Sequence, residues 1–240
     1  MIYSIIKEHL TFKRFLLASC TWTFIGAMFT PVFLGTVDKT FGGQMQFLTV
    51  IALFLTSVTL ALNSFTNMKT LTYDMLVTTT VLETIVTIYY WGMFHYDRGL
   101  LYPPHIQNIP FLVDICLHFF PALALWMELL TTVKLHKVSS KHIYIIAFFS
   151  IGYMLWAEYC YVQNGYYVYP VLKMLDKKGK VLLTLATIIV GAIISVLSVQ
   201  VHSLYGTVSL GLDKLRGKRH FKRIKRINDP KRVRSKSSTI

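Results

Sequence analysis

Six stretches of mostly apolar residues, each about the twenty residues that an α-helix needs to cross the hydrocarbon of a bilayer, divide this chain. They cover about 15–35, 46–66, 75–94, 111–133, 143–162 and 181–204. A segment in lipid must satisfy its backbone polar groups internally. The expected fold is therefore all-α: a polytopic membrane helical bundle of about six transmembrane helices. Composition agrees, since 54% hydrophobic residues, 15% charged residues and a mean hydropathy of +0.50 give more apolar surface than a soluble core can hide. The first stretch is too long for a signal core and no small-residue cleavage site follows it, so it is expected to stay as the first span. Breakers fall at span ends: Gly42-Gly43, Tyr102-Pro103-Pro104, Ile109-Pro110, Asn164-Gly165 and Tyr169-Pro170. With no internal repeat, residues 1–212 read as one membrane domain and 213–240 as a basic, disordered cytosolic tail.

The net charge of +14 sits mostly in that tail, which holds twelve of the 25 Lys and Arg against two acids, Asp213 and Asp229. A basic run with one aromatic, Phe221, and no zinc-finger or RNA-binding signature offers little to a nucleic acid. Directly after an apolar span it reads as a contact for anionic lipid headgroups, through Arg216, Lys218, Arg219, Lys222, Arg223, Lys225 and Arg226. The expected partners are membrane lipids, with no nucleic acid; the oligomeric state cannot be read. Positive charges in short connections place Lys7, Lys13, Arg14, Lys69, Lys134, Lys137, Lys141 and the tail on one side, so both termini are expected in the cytosol. Lys173, Lys177, Lys178 and Lys180 argue the other way and are outweighed by the tail. Tyr89, Tyr90, Trp91, Tyr96, Tyr102, Tyr166, Tyr167 and Tyr169 then crowd the opposite interface, where most of them read as an anchoring belt. Cys20, Cys116 and Cys160 all fall within spans and read as small buried hydrophobes. With no mitochondrial presequence and no peroxisomal terminus, the expected membrane is the endoplasmic reticulum.

Ionisable groups are costly in hydrocarbon, so each one inside a span is a candidate for function. Asp114 and His118 are spaced i, i+4 near the non-cytosolic end of the fourth span, one above the other on a single helix face. They form an orienting carboxylate with a general base, half of a zinc site with His95 or His105, or a structural hydrogen bond. The metal ranks last, because no paired-ligand motif accompanies it. Thr49 lies at comparable depth in the second span; on its own, such a threonine usually bonds the carbonyl four residues back. His95, Asp97, Arg98 and Glu158 are expected at the same end. Glu83 falls near mid-bilayer in the third span, as a proton-relay carboxylate or a protonated acid bonded to a neighbouring helix. Glu128, nearer the cytosolic end, is expected to reach the interface or pair with Lys134. No cofactor is expected.

Four ordered pieces add a resemblance. Gly42-Gly43 with Phe47-Leu48-Thr49, Tyr96-Asp97-Arg98 with Leu101-Tyr102-Pro103, His118 after Ile109-Pro110, and Gly152-Tyr153-x-Leu155-Trp156 leading to Gly165-x-x-Val168-Tyr169-Pro170 together resemble the androgen-induced gene family, over about residues 40–175. That resemblance implies a multi-pass intramembrane hydrolase that cleaves fatty acid esters of hydroxy fatty acids, with Thr49 matching the family's nucleophile and His118 its histidine. Asp114 stands where the animal members carry a histidine, and neither Glu83 nor the basic tail belongs to their pattern. The implied function is a threonine-dependent lipid esterase taking its substrate from the bilayer. The alternative is a small transporter or lipid-handling scaffold; a transporter calls for helices broken near the midplane, and the breakers here fall at span ends.

Overall fold

A computed structural model describes residues 14–23, 25–26, 40–65, 69–102, 109–131 and 140–227, with side chains left out at 69–70 and beyond 205. In chain order it has a helix over 14–23 (α1), a 3-10 turn Gly43–Gln46, α2 (Leu48–Phe65), α3 (Lys69–Tyr96), a 3-10 turn Arg98–Leu100, α4 (Phe111–His118), α5 (Phe120–Thr131), α6 (Ser140–Asn164), α7 (Pro170–Met174) and α8 (Lys177–Ile227). No strand occurs among the described residues. The protein is an all-α, multi-pass membrane protein.

Four described helices are long and apolar enough to cross a membrane, in the segments Leu48–Phe65, Leu71–Tyr96, Ser140–Asn164 and Lys177–Tyr205. The expected fourth span is a bent pair, α4 and α5, which turn by 42° at Phe119 and count as a fifth span if taken together. Pro121 explains the break: it has no N–H to give the carbonyl of Leu117, and its ring crowds that carbonyl. The expected first span, 15–35, is helical over 14–23; residues 27–35 lie outside the described residues. The basic segment expected as a tail from 213 has a helical backbone as far as Ile227, while the side chains of its seven headgroup candidates, and residues 228–240, lie outside the described residues.

α3 is the axis of the bundle, packed against α2, α4, α5, α6 and α8. Its polar residues suit that place because their hydroxyls are used locally: Thr80 donates to the carbonyl of Leu76, Thr84 to Thr80 and Thr87 to Glu83. One apolar cluster joins Leu16 and Cys20 of α1 to Leu76 and Val77 of α3 and to Leu125 and Leu129 of α5. A second joins Val81 and Ile85 to Ile146 of α6 and Ile194 of α8. Gly191 makes that crossing possible, since a Cβ there would lie 2.6 Å from Ile146 Cγ2. Outward-facing residues such as Trp22, Phe148, Leu155 and Leu182 are large, apolar and exposed, as a surface bathed in lipid requires.

Candidate functional site

The site begins with a turn. Gly42 and Gly43 have φ of 84° and 46°, values that favour glycine, and a Cβ on Gly42 would meet Gln46, Cys160 and Trp156 at 2.9–3.1 Å. The turn is fastened to the far end of α6: Trp156 Nε1 donates to the carbonyl of Met45 at 2.8 Å and the Tyr153 hydroxyl to that of Gln46 at 3.1 Å. Asn164 accepts from the Phe41 N–H at 2.9 Å and donates to the Phe41 carbonyl at 3.0 Å. Phe47 is extended, so the helix restarts at Leu48, and its first ladder bond runs from Ile51 N–H to the Phe47 carbonyl. Thr49 is therefore held, buried, in the first turn of α2, where backbone N–H groups lack helical partners.

Tyr169, which begins α7, meets that turn. Its phenol faces the side chain and backbone of Thr49 and the backbone of Leu48; burial pushes the phenol above its ordinary range while these polar neighbours oppose the shift. Thr49, Tyr169, Tyr153 and Tyr90 line a cavity of about 500 Å³ whose remaining wall is largely apolar, from Leu48, Val86, Met93 and Leu172 among others.

The second part of the site is the Asp114–His118 pair, both buried on α4. His118 Nδ1 lies 2.8 Å from Asp114 Oδ1. A carboxylate only accepts, so Nδ1 carries the proton and Nε2 is the basic nitrogen. The Tyr90 hydroxyl donates to the same Asp114 oxygen and accepts from the Tyr102 hydroxyl at 3.1 Å, and the Tyr90 ring lies parallel to the imidazole, 3.4 Å between centroids. Tyr90 thus stands in the cavity wall with His118 against its ring. The α2 and α4 helices touch through Val50, Leu53 and Leu117, residues adjoining Thr49 and His118.

The structure does not gather every residue expected here. His95 is exposed and stacked on Trp91. Glu158 pairs with Lys180 at 2.8 Å and accepts from Tyr167 at 2.9 Å. Asp97 caps the Gly99 N–H at 2.8 Å. Glu83 lies deeper in α3 and accepts from Thr56 of α2 at 2.7 Å. Glu128 is 1% exposed and accepts from Asn63 at 2.6 Å, because the last turns of α2 and α5 lie side by side; its other expected partner, Lys134, lies outside the described residues. Among the described residues no three His, Cys, Asp or Glu side chains are grouped as metal ligands would be; His105 lies outside them. Three of the eight aromatics placed at that interface, Tyr90, Tyr102 and Tyr169, turn inward to the site. A sign was available for Tyr90, which lies seven residues from Glu83 and so shares its buried helix face.

A family model described as FAR-17a/AIG1-like protein matches residues 13–203. A UPF0641 membrane protein of Schizosaccharomyces pombe is 31% identical over 162 residues, 64% of this chain and 73% of that protein. The androgen-dependent TFPI-regulating protein of Rattus norvegicus is 29% identical over 170 residues, 63% of this chain and 72% of the relative. The androgen-induced gene 1 protein of Homo sapiens is 26% identical over 98 residues, 40% and 41% of the two chains. No solved structure matches.

Proposed function

The chain belongs to the FAR-17a/AIG1-like protein family, and on that premise we propose that it is an intramembrane lipid esterase, cleaving fatty acid esters of hydroxy fatty acids or related acyl esters. One observation carries the reading: a buried threonine hydroxyl at a helix N-terminus lines an apolar, chain-sized cavity, with a carboxylate-oriented imidazole behind the next tyrosine of the wall.

The chemistry follows from the groups present. An alcohol is a weak nucleophile until a base takes its proton. Thr49 Oγ1 attacks the ester carbonyl as its proton passes to His118 Nε2, once the Tyr90 side chain standing between the cavity and the imidazole has moved aside. Asp114 holds the imidazole in that tautomer and stabilises the imidazolium. The tetrahedral oxyanion is met by donors at the α2 N-terminus and by the Tyr169 hydroxyl. Collapse expels the alcohol, which takes the proton from His118, and water then attacks the acyl-threonine by the same base. The apolar wall holds the acyl chain and excludes bulk water.

The protein works, on this reading, in the endoplasmic reticulum with both termini cytosolic, and its basic segment adds about 1 kcal/mol per basic residue of attraction to anionic headgroups. The test is to react the purified protein with a serine-hydrolase activity probe, map the adduct and assay acyl ester hydrolysis. An adduct on Thr49 and turnover that depends on it are expected; turnover unchanged in Thr49→Ala would overturn the reading. The bend at Phe119 and the buried Glu83 favour one other function, a small transporter or lipid-handling scaffold without hydrolase activity. Lipid movement across proteoliposomes that depends on Glu83 and not on Thr49 would establish it.

A further inference from the structure

Arg98 is a basic residue at this end of the bundle whose charge is not committed among the described residues. It opens the 3-10 turn between α3 and the site, with its guanidinium 5.6 Å from the centre of the Tyr102 ring. Its Nε is buried and hydrogen-bonds nothing among the described residues, none of whose carboxylates forms an ion pair with it. The neighbouring Asp97 is occupied with its cap on Gly99. Lys180, by contrast, is bound to both Glu158 and Tyr167.

The position of Arg98 gives that charge a use. Leu101, three residues on, lines the cavity, and Tyr102, whose ring the guanidinium covers, donates to Tyr90 in the cavity wall. The guanidinium therefore lies one tyrosine ring from the site's polar end. No charged side chain lines the cavity itself, so an anionic group on a ligand has no counter-charge inside and is held at the rim. α7 packs on the same 3-10 turn and carries the exposed Lys173 next to the cavity-lining Leu172, which adds a second positive charge there. A guanidinium offers a planar fork of donors that fits a carboxylate through two parallel bonds.

We propose that Arg98 anchors a free carboxylate on the lipid ligand, so that the site selects acyl compounds bearing an acid group, with the chain in the cavity and the carboxylate at the rim. This rests on the reading of the cavity as the acyl site. The experiment measures binding and not turnover. The purified full-length protein, in phosphatidylcholine nanodiscs at alkaline pH, is loaded with a fluorescent fatty acyl probe, which is displaced by a long-chain fatty acid or by its primary amide. The acid is expected to compete on the order of tenfold better than the amide, as a charge-assisted bond at a partly wet rim would give. Arg98→Gln should close that gap and Arg98→Lys should keep part of it. Equal competition by acid and amide in the unsubstituted protein overturns the proposal, and that comparison holds even if a variant fails to fold. A gap that disappears when phosphatidylglycerol is added assigns Arg98 to bilayer headgroups and overturns it too. Displacement by neither ligand removes the acyl cavity and the anchor together. A clear gap in a protein that hydrolyses no ester leaves the anchor standing and sinks the esterase.

Discussion

Two buried histidines among the described residues each hold an aspartate, and one of them, His118, stacks on a tyrosine that lines the cavity. His118 and Asp114 are one turn apart on α4, so their 2.8 Å contact fastens no helix to another. His142 sits on α6 and reaches Asp74 of α3 through Nε2 at 3.1 Å, while the exposed Lys141 holds the other carboxylate oxygen at 2.5 Å. The second pair ties two helices together and has its charge balanced by a solvent-facing lysine. The first has its carboxylate shared with a tyrosine of the cavity wall, and a threonine hydroxyl lines that same wall. An imidazole with an acid on it is thus not a site by itself: the difference lies in which groups surround the pair.

The comparison breaks most visibly at the reacting groups. Thr49→Ala or His118→Ala should each lower kcat for acyl ester hydrolysis by about 10³-fold or more, and the double variant should lose little beyond either single one, since residues acting as a unit are not additive. Equal loss in His142→Gln, with folding intact, would erase the distinction between the two pairs. Asp114→Asn keeps the shape but loses the charge that sets the tautomer, and a fall in kcat of about 10- to 100-fold with KM nearly unchanged is expected. Tyr90→Phe preserves the stacked ring and removes the hydroxyl on Asp114; about tenfold in kcat is the expected cost. His142→Gln should change kcat less than about twofold while lowering unfolding stability by about 1–3 kcal/mol, read as a fall in Tm, because it leaves Asp74 short of a buried partner.

What the sequence displayed of this arrangement is local. The apolar runs that became α2, α3, α6 and α8 are lengths, and length can be counted. The Asp114–His118 contact is a spacing on one helix. The inward tyrosines are another matter, because Tyr169 comes to Thr49 across 120 residues and an anchoring tyrosine has the same residue type as one buried in a site. Which helix faces meet is decided by packing, as at Gly191 against Ile146, and one sequence does not state those pairings. The bend at Phe119 was within reach: Pro121, inside the expected fourth span, is a breaker away from a span end, and so the absence of mid-span breaks could not be held against a transporter. The bond between Glu128 and Asn63 belongs with the inward tyrosines, since it joins two helices 65 positions apart and depth in one span says nothing of it.

The Gly42-Gly43 turn joins partners 123 positions apart at Phe41 and Asn164. A ribosome adding about 5–20 residues per second needs roughly 6–25 s to deliver the second after the first. During that interval α2 can enter the membrane, but the turn before it lacks its hydrogen bonds to Tyr153 and Trp156, and Thr49 lacks Tyr169 beside it. Assembly of the reacting groups is therefore a late event of biosynthesis, timed by the arrival of α6 and α7. On the proposed esterase reading, a nascent chain stalled before Trp156 would carry both Thr49 and His118 without the bonds that fix the turn before Thr49, and would hydrolyse no ester until its bundle is nearly complete.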